Sequence, residues 1–372
     1  MKVLNGTLVV VALMLSVTLN GYLFYSLQPG VLAIAGDTTS CSTSGVDFIG
    51  YSDALDGQSY EGFEVGGLSG LNYHPSQNLY YSLADNGLKD AYAHFYTLSM
   101  PLDQTRLSMP LDQTRLVDPT ITAVTVLHDQ QGNPFTGANF DGESIVATGA
   151  GDFLVVSEIE PSIRRFSSDG YFLSELSVPQ KFLLAPEGGA QRNSSLESLA
   201  LSPDERSLFT MNEEPLAFDG QEYSDKRKRL RLLRYEAEGS SEFEPTQEFF
   251  YLAEPTNTVS DIVALSERDL LVLESGERQI YRVSLAGDED DVSGEKSLAD
   301  SSARPLEKEL LVDVDDDCPL PSVKGIHSFG LLEDLTLGPQ LSDGRQALLL
   351  QSDDDFRRIA KTRIIALSIQ LE

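Results

Sequence analysis

Acidic side chains recur in this chain at matching places within short apolar segments. Glu143, Glu197, Asp261 and Glu333 each open such a segment, and Asp85, Glu158, Glu213, Glu274 and Asp353 each close one. Antiparallel pairing of an opening segment with the closing one after it brings the start of the first and the end of the second to one edge. Both sets of carboxylates should therefore crowd a single face. Carboxylates at short range repel unless a cation or a basic side chain neutralises them. Calcium suits the set, since it takes oxygens from Asp, Glu and backbone carbonyls, whereas no cluster of His or Cys here would favour zinc. The competing reading pairs the acids with Arg164, Arg165, Arg278 or loop amides, in which case they only stabilise strand ends.

Other chemistry is sparse. No HExxH, no Gly-x-Ser-x-Gly elbow and no P-loop occur. His74, His94 and His128 read as structural or surface residues, while His327, in Gly325-Ile326-His327-Ser328-Phe329, stands near a repeat start and is a candidate substrate contact. Asp313 to Asp317 imitates the start of an EF-hand loop, but Cys318 replaces the glycine and Lys324 the bidentate Glu, so the motif fails. The one basic run, Lys226 to Arg234, reads as an exposed-face strand after a loop, against the alternative of a patch that gathers an anionic substrate. Asn193-Ser194-Ser195 has the N-glycosylation pattern, with meaning only in a host that glycosylates.

The acids need elements to position them, and a repeated unit supplies these. An apolar strand opened by an acidic or small residue, a turn, and a second strand ending in an acid recur five times, starting at Ser69, Glu143, Glu197, Asp261 and Glu333. The turns carry their own chemistry, as in Ser202-Pro203-Asp204-Glu205, where Pro presets φ and Asp bonds its own backbone. Each interval has room for about four strands, and no amphipathic helix is evident. The expected fold is all-β, a β-propeller whose inner strand ends face a central channel. Five copies plus a blade closed by both termini would make six, and an irregular sandwich is the structural alternative. Ala286 to Ser302, rich in acids, reads as a disordered excursion. Leu98 to Arg106 is repeated without change as Leu107 to Arg115, a tandem duplication read as an exposed loop.

Composition narrows the partners. The 58 Asp and Glu against 27 Lys and Arg give a net charge of -31, which repels a phosphate backbone and argues against nucleic acid. Lys2 is followed by no charged side chain until Asp37, with an apolar core from Leu8 to Leu15 and Ala33-Ile34-Ala35 as a small-x-small site. This reads as a signal peptide over residues 1–35, then a closing segment over 36–60 and the propeller over 61–372. A secreted or periplasmic monomer without stable membrane association after cleavage follows. The alternative is an uncleaved anchor holding an exported domain. No lipobox precedes Cys41, and Cys41 and Cys318 allow one bridge at most or remain two free thiols.

The chain resembles the secreted "esterase-like activity of phytase" family of phytase-like β-propeller proteins. The resemblance rests on Leu68-Ser69-Gly70-Leu71-Asn72-Tyr73, Phe95-Tyr96-Thr97-Leu98, Asp141-Gly142-Glu143-Ser144-Ile145, Ser157-Glu158, Pro161 to Phe166, Glu197 to Asp204, Leu271-Val272-Leu273-Glu274 and Ser352 to Phe356. It implies a propeller and hydrolysis of a phosphoester or ester in a small substrate. Glu143, Glu158, Glu197 and Arg164 would carry the reaction, and Asp85, Glu213, Glu274, Glu333 and Asp353 would hold calcium. Arg165 and His327 would bind the substrate. Ser144, Ser198 and Asp334 stand where the family usually has glycine, Ser275 where Arg commonly follows, His94 where Arg is usual and Asp355 where Asn is usual. Those departures leave a second expectation open, a non-catalytic propeller that binds a glycan, peptide or protein.

Overall fold

The second strand of every repeat is a continuous apolar run, such as Phe153-Leu154-Val155-Val156 or Ala347-Leu348-Leu349-Leu350, so both of its faces must be covered. The computed structural model describes residues 45–85, 91–103, 115–220, 223, 225–237, 242–285, 287–318, 331–354, 356 and 360–371. It covers those faces by stacking five four-stranded antiparallel sheets radially. From the centre outwards, blade 1 is Leu68–His74, Leu79–Ala84, His94–Ser99 and Thr120–Val126. Blade 2 is Gly142–Ala147, Phe153–Ser157, Ser162–Phe166 and Phe172–Leu176. Blade 3 is Leu196–Leu201, Ser207–Asn212, Lys228–Glu236 and Glu244–Ala253. Blade 4 is Val259–Ala264, Asp269–Glu274, Gln279–Ser284 and Lys308–Asp313.

Blade 5 corrects the expected count of six. Its inner strands Leu331–Gln340, Gln346–Asp353 and Arg363–Ile369 come from the end of the chain, and its outermost strand is Val46–Ser52. The fifth repeat is thus itself the blade that both ends close, and among the described residues no sixth blade stands beside it. The inner strands of blades 1 to 5 each touch the next, and the fifth touches the first, which closes the ring.

Five apolar cores hold the ring, one between each pair of neighbouring blades. Alternation along a strand assigns successive side chains to opposite cores. Tyr80 packs with Leu349, Ile364 and Ala366 of blade 5, whereas Tyr81 packs with Phe153, Val155 and Phe166 of blade 2. Leu348 likewise faces blade 4 beside Leu271 and Leu273, and Leu349 faces blade 1. Each fully buried Leu, Ile or Phe contributes about 1.5–3 kcal/mol. Outer strands such as Thr120–Val126 and Phe172–Leu176 keep only a half-buried pattern.

Two segments depart from their expected character. Ala286 to Ser302 is packed rather than disordered wherever it is described, residues 287–302: Val292 and Leu298 are buried against Phe250 and Leu252 of blade 3's outer strand. Their apolar side chains and a buried cation outweigh the charge of the segment. That cation is Arg231, from the basic run, which lies in blade 3's third strand and is fully buried. Its guanidinium bonds both oxygens of Asp219 at 2.7 and 2.8 Å, Glu248 at 2.8 Å, and the carbonyls of Val292 and Glu295. Lys228 pairs with Glu214 and Arg227 with Asp225, so the run is engaged with the protein's own acids.

Cys318 is disulfide-bonded; Cys41 and the signal segment 1–35 lie outside the described residues. The tandem nonapeptide begins in the third strand of blade 1 and ends at Arg115, with residues 104–114 also outside the described set. Among the described residues no helix is long and apolar enough to cross a membrane.

Candidate functional site

The first strand of every blade carries a register break at the same place. The breaks fall between Leu68 and Gly70, Gly142 and Ser144, Leu196 and Ser198, Val259 and Asp261, and Leu332 and Asp334. A bulge leaves one extra residue unpaired and re-aims its side chain. The residues so placed are Ser69, Glu143, Glu197, Ser260 and Glu333. Opposite each bulge the second strand leaves the sheet. The amides of Asp85, Glu158, Glu213 and Ser275 donate to the carbonyls of Gly67, Asp141, Ser195 and Thr258, and Asp353 pairs with Leu331. These two rings of five positions share one end of the channel.

Register corrects two of the sequence-derived equivalences. Asp261 stands one residue beyond its bulge, level with Ser144, Ser198 and Asp334, and Glu274 stands one residue before its exit, level with Ala84, Ser157 and Asn212. Blade 4 therefore offers serines, Ser260 and Ser275, where the others offer mostly acids. Glu274 is not brought to the mouth. Its oxygens accept from Tyr251 Oη, the Glu254 amide, Asn257 Nδ2 and Lys308 Nζ at 2.6–3.0 Å, a fully satisfied buried carboxylate between blades 3 and 4.

Asp85, Glu143, Glu158, Glu197 and Glu213 are brought together, joined by Asp141. One group is Asp85, Asp141 and Glu143, the other Glu158, Glu197 and Glu213, and within each group one oxygen per residue lies within 4.8 Å of the others. The groups adjoin, because Glu143 and Glu158 share a hydrogen bond and Glu143 feels the charge of Glu197. Glu333 acts on Glu197, and Asp353 on Asp85, so blade 5 contributes to the same field. Among the described residues no Lys, Arg or His lies within ion-pair distance of Asp85, Asp141, Glu143, Glu158 or Glu197.

Burial and mutual repulsion both favour the protonated form. Burial first, then Asp141, pushes Asp85 up to about 9. Burial raises Glu158 to about 7, although the Ser195 amide donates to its Oε2 at 3.3 Å. Glu143 and Glu197 are driven well above the carboxylate range by burial, and then by neighbouring acids, Glu197 acting on Glu143 and Glu213 on Glu197. Glu213 is raised by burial, against hydrogen bonds from Ser194 and Thr258. Asp85 Oδ1 and Asp141 Oδ1 are buried without a hydrogen-bond partner. Asp141 was missed in the sequence because its partner Asp85 belongs to another blade; Asp141 Gly142 Glu143 flanking a bulge was the available signal.

The arginines lie elsewhere. Arg164, in blade 2's third strand, bonds Glu175 at 2.9 Å and Glu160 at 3.4 Å with its guanidinium over the rings of Phe135 and Phe140. Arg165 pairs with Asp152 and Glu242, and Arg278 with Asp315. None of the three neutralises the mouth acids, and His327 lies outside the described residues. A cavity of about 580 Å³ sits at the rim of blades 3 and 4, lined by Arg227, Tyr281, Arg304 and Lys308 among others, and none of the mouth acids lines it.

A family described as esterase-like activity of phytase matches residues 64–356. An uncharacterized secreted protein of Arthroderma benhamiae is 25% identical over 128 residues, 28% of this chain and 25% of that protein, so the match spans about a quarter of the relative's length. Among solved structures, the Malassezia sympodialis allergen Mala s 1 aligns at 14% identity and TM-score 0.42, over 85% of this chain and 83% of that one. The PQQ-bound aldose sugar dehydrogenase of Streptomyces coelicolor aligns at 17% identity and TM-score 0.34, over 90% of this chain and 84% of that one.

Proposed function

The chain belongs to the esterase-like activity of phytase family, and on that premise we propose that its channel mouth binds a divalent cation and serves hydrolysis of a small phosphoester or ester substrate outside the cytoplasm. The observation that carries this reading is the group of six carboxylates from blades 1 to 3, five of which have no Lys, Arg or His within ion-pair distance among the described residues. The donors are all oxygens, which suits calcium. Asp85 and Asp141, whose buried Oδ1 atoms lack partners, with Glu143, Glu197 and Glu213, would hold the ion. When bound, the ion would polarise a phosphoryl or acyl oxygen and favour a nucleophilic water. Glu158, raised to about 7, is the carboxylate able to exchange a proton with water near neutrality. The chain acts as a monomer, exported by its N-terminal segment or held by it as an anchor, and its charge keeps nucleic acid away.

Turnover of phytate and p-nitrophenyl esters by the purified chain, with calcium and with chelator, tests the reading. Calcium-dependent hydrolysis is expected, and activity indifferent to chelator would end it. One observation favours a second reading, a propeller that binds cation and a partner without catalysis: Arg164 and Arg165 are held by Glu175, Glu160, Asp152 and Glu242, so neither guanidinium is available to clamp a phosphate at the mouth. Absence of activity on every ester, with calcium binding intact, would support it.

A further inference from the structure

One level below the mouth the channel holds a second set of oxygens, from Ser144, Ser198, Asp261 and Asp334. Asp261 reaches across it. Its carboxylate accepts from the Leu335 amide of blade 5 at 3.1 Å, from Ser144 Oγ of blade 2 at 3.4 Å, and from the Leu199 amide of blade 3. That carboxylate sits beside Asp334, since Leu335 is the next residue. Asp334 is fully buried, and its Oδ2 accepts from Gln351 Nε2 at 2.7 Å, whose own Oε1 accepts from Ser82.

The other oxygen, Asp334 Oδ1, has no partner at all, and neither has Ser198 Oγ, which is also fully buried. Two buried carboxyl groups without a base, and two orphaned oxygens at the same level, call for an occupant that accepts lone pairs and carries positive charge. Blade 1 contributes Gly70 at this level, where a Cβ would lie 2.9 Å from Leu83 Cβ.

We propose that Asp261 and Asp334, with Ser198, form a second cation site inside the channel, separate from the mouth and selective for hard, oxygen-loving ions. It ties blades 3, 4 and 5 together at the axis. The site does not depend on the mouth binding anything.

Equilibrium dialysis of the full chain against calcium, followed by elemental analysis, counts bound ions. Two equivalents are expected for the wild type, one for Asp334→Asn, and one for the Glu143→Gln, Glu197→Gln pair. Equal binding by wild type and Asp334→Asn would overturn the channel site, whatever the mouth does. A single wild-type ion that is lost in Asp334→Asn and kept in the mouth variant would uphold the channel site and remove the mouth reading. If Asp334→Asn fails to melt cooperatively, Ser198→Ala decides: loss of one equivalent at limiting calcium supports the site, and unchanged binding overturns it.

Discussion

Removing the cation should make this protein less stable as pH rises, the opposite of the usual behaviour of acids in folded proteins. Glu158 moves from 4.5 to about 7 and Asp85 from 3.8 to about 9 on folding. The folded state therefore binds more protons than the unfolded one between the ordinary carboxylate range and those values. Stability then falls with pH across that window, fully present below about pH 4 and lost by about pH 7 for Glu158. The Glu158 difference is worth about 3 kcal/mol at about 1.36 kcal/mol per pH unit, an upper bound because its charge is shared with neighbouring acids. An unfolding entropy of about 2.1 cal/mol/K per residue gives roughly 0.7 kcal/mol/K for a ring of this size, so ~3 kcal/mol corresponds to roughly 4 °C. The assay is thermal unfolding from pH 5 to 8 in chelator, for wild type and Glu158→Gln. The Glu158 share of the wild-type fall in Tm should be up to that amount, with Asp85 adding to it, the variant should fall less by that share, and calcium at about a hundred times Kd should restore about 2.7 kcal/mol at pH 8. A Tm that rises with pH in chelator, or a variant that tracks wild type throughout, would refute the reasoning.

Other consequences can be checked by unfolding experiments. Arg231→Met leaves Asp219 buried without its cation and Glu248 with Lys181 alone, and should cost about 3–5 kcal/mol in urea unfolding; a loss below about 1 kcal/mol would show that the segment around Val292 carries the packing alone. Gly67 has φ +56°, and a Cβ there would meet the Phe356 ring at 2.5 Å, so Gly67→Ala should lower stability by at least about 1 kcal/mol. Deleting the chain through Ser52 strips blade 5 of its outer strand and leaves the Arg363–Ile369 edge unpaired, so cooperative unfolding should give way to aggregation, seen by light scattering.

Much of the architecture is local and could be read without coordinates. Continuous apolar runs demand strands covered on both faces, Pro and Asp in Ser202-Pro203-Asp204 demand a turn, and their recurrence demands repetition in space. Five of the six clustered acids were legible for the same reason, because they recur at strand starts and ends. What stayed hidden is non-local. The number of blades depends on which strand Val46–Ser52 joins, and pairing with a strand more than three hundred residues away leaves no trace in periodicity. Register decides the rest: a single bulged residue puts Ser260 rather than Asp261 in the mouth ring and lets Asp261 drop one level to meet Asp334. Glu274, one residue short of its exit, turns to Lys308 and Tyr251 instead. Because side chains alternate with a period of two, an offset of one residue moves a carboxylate from one surface of a strand to another, and only the paired sheet determines that offset.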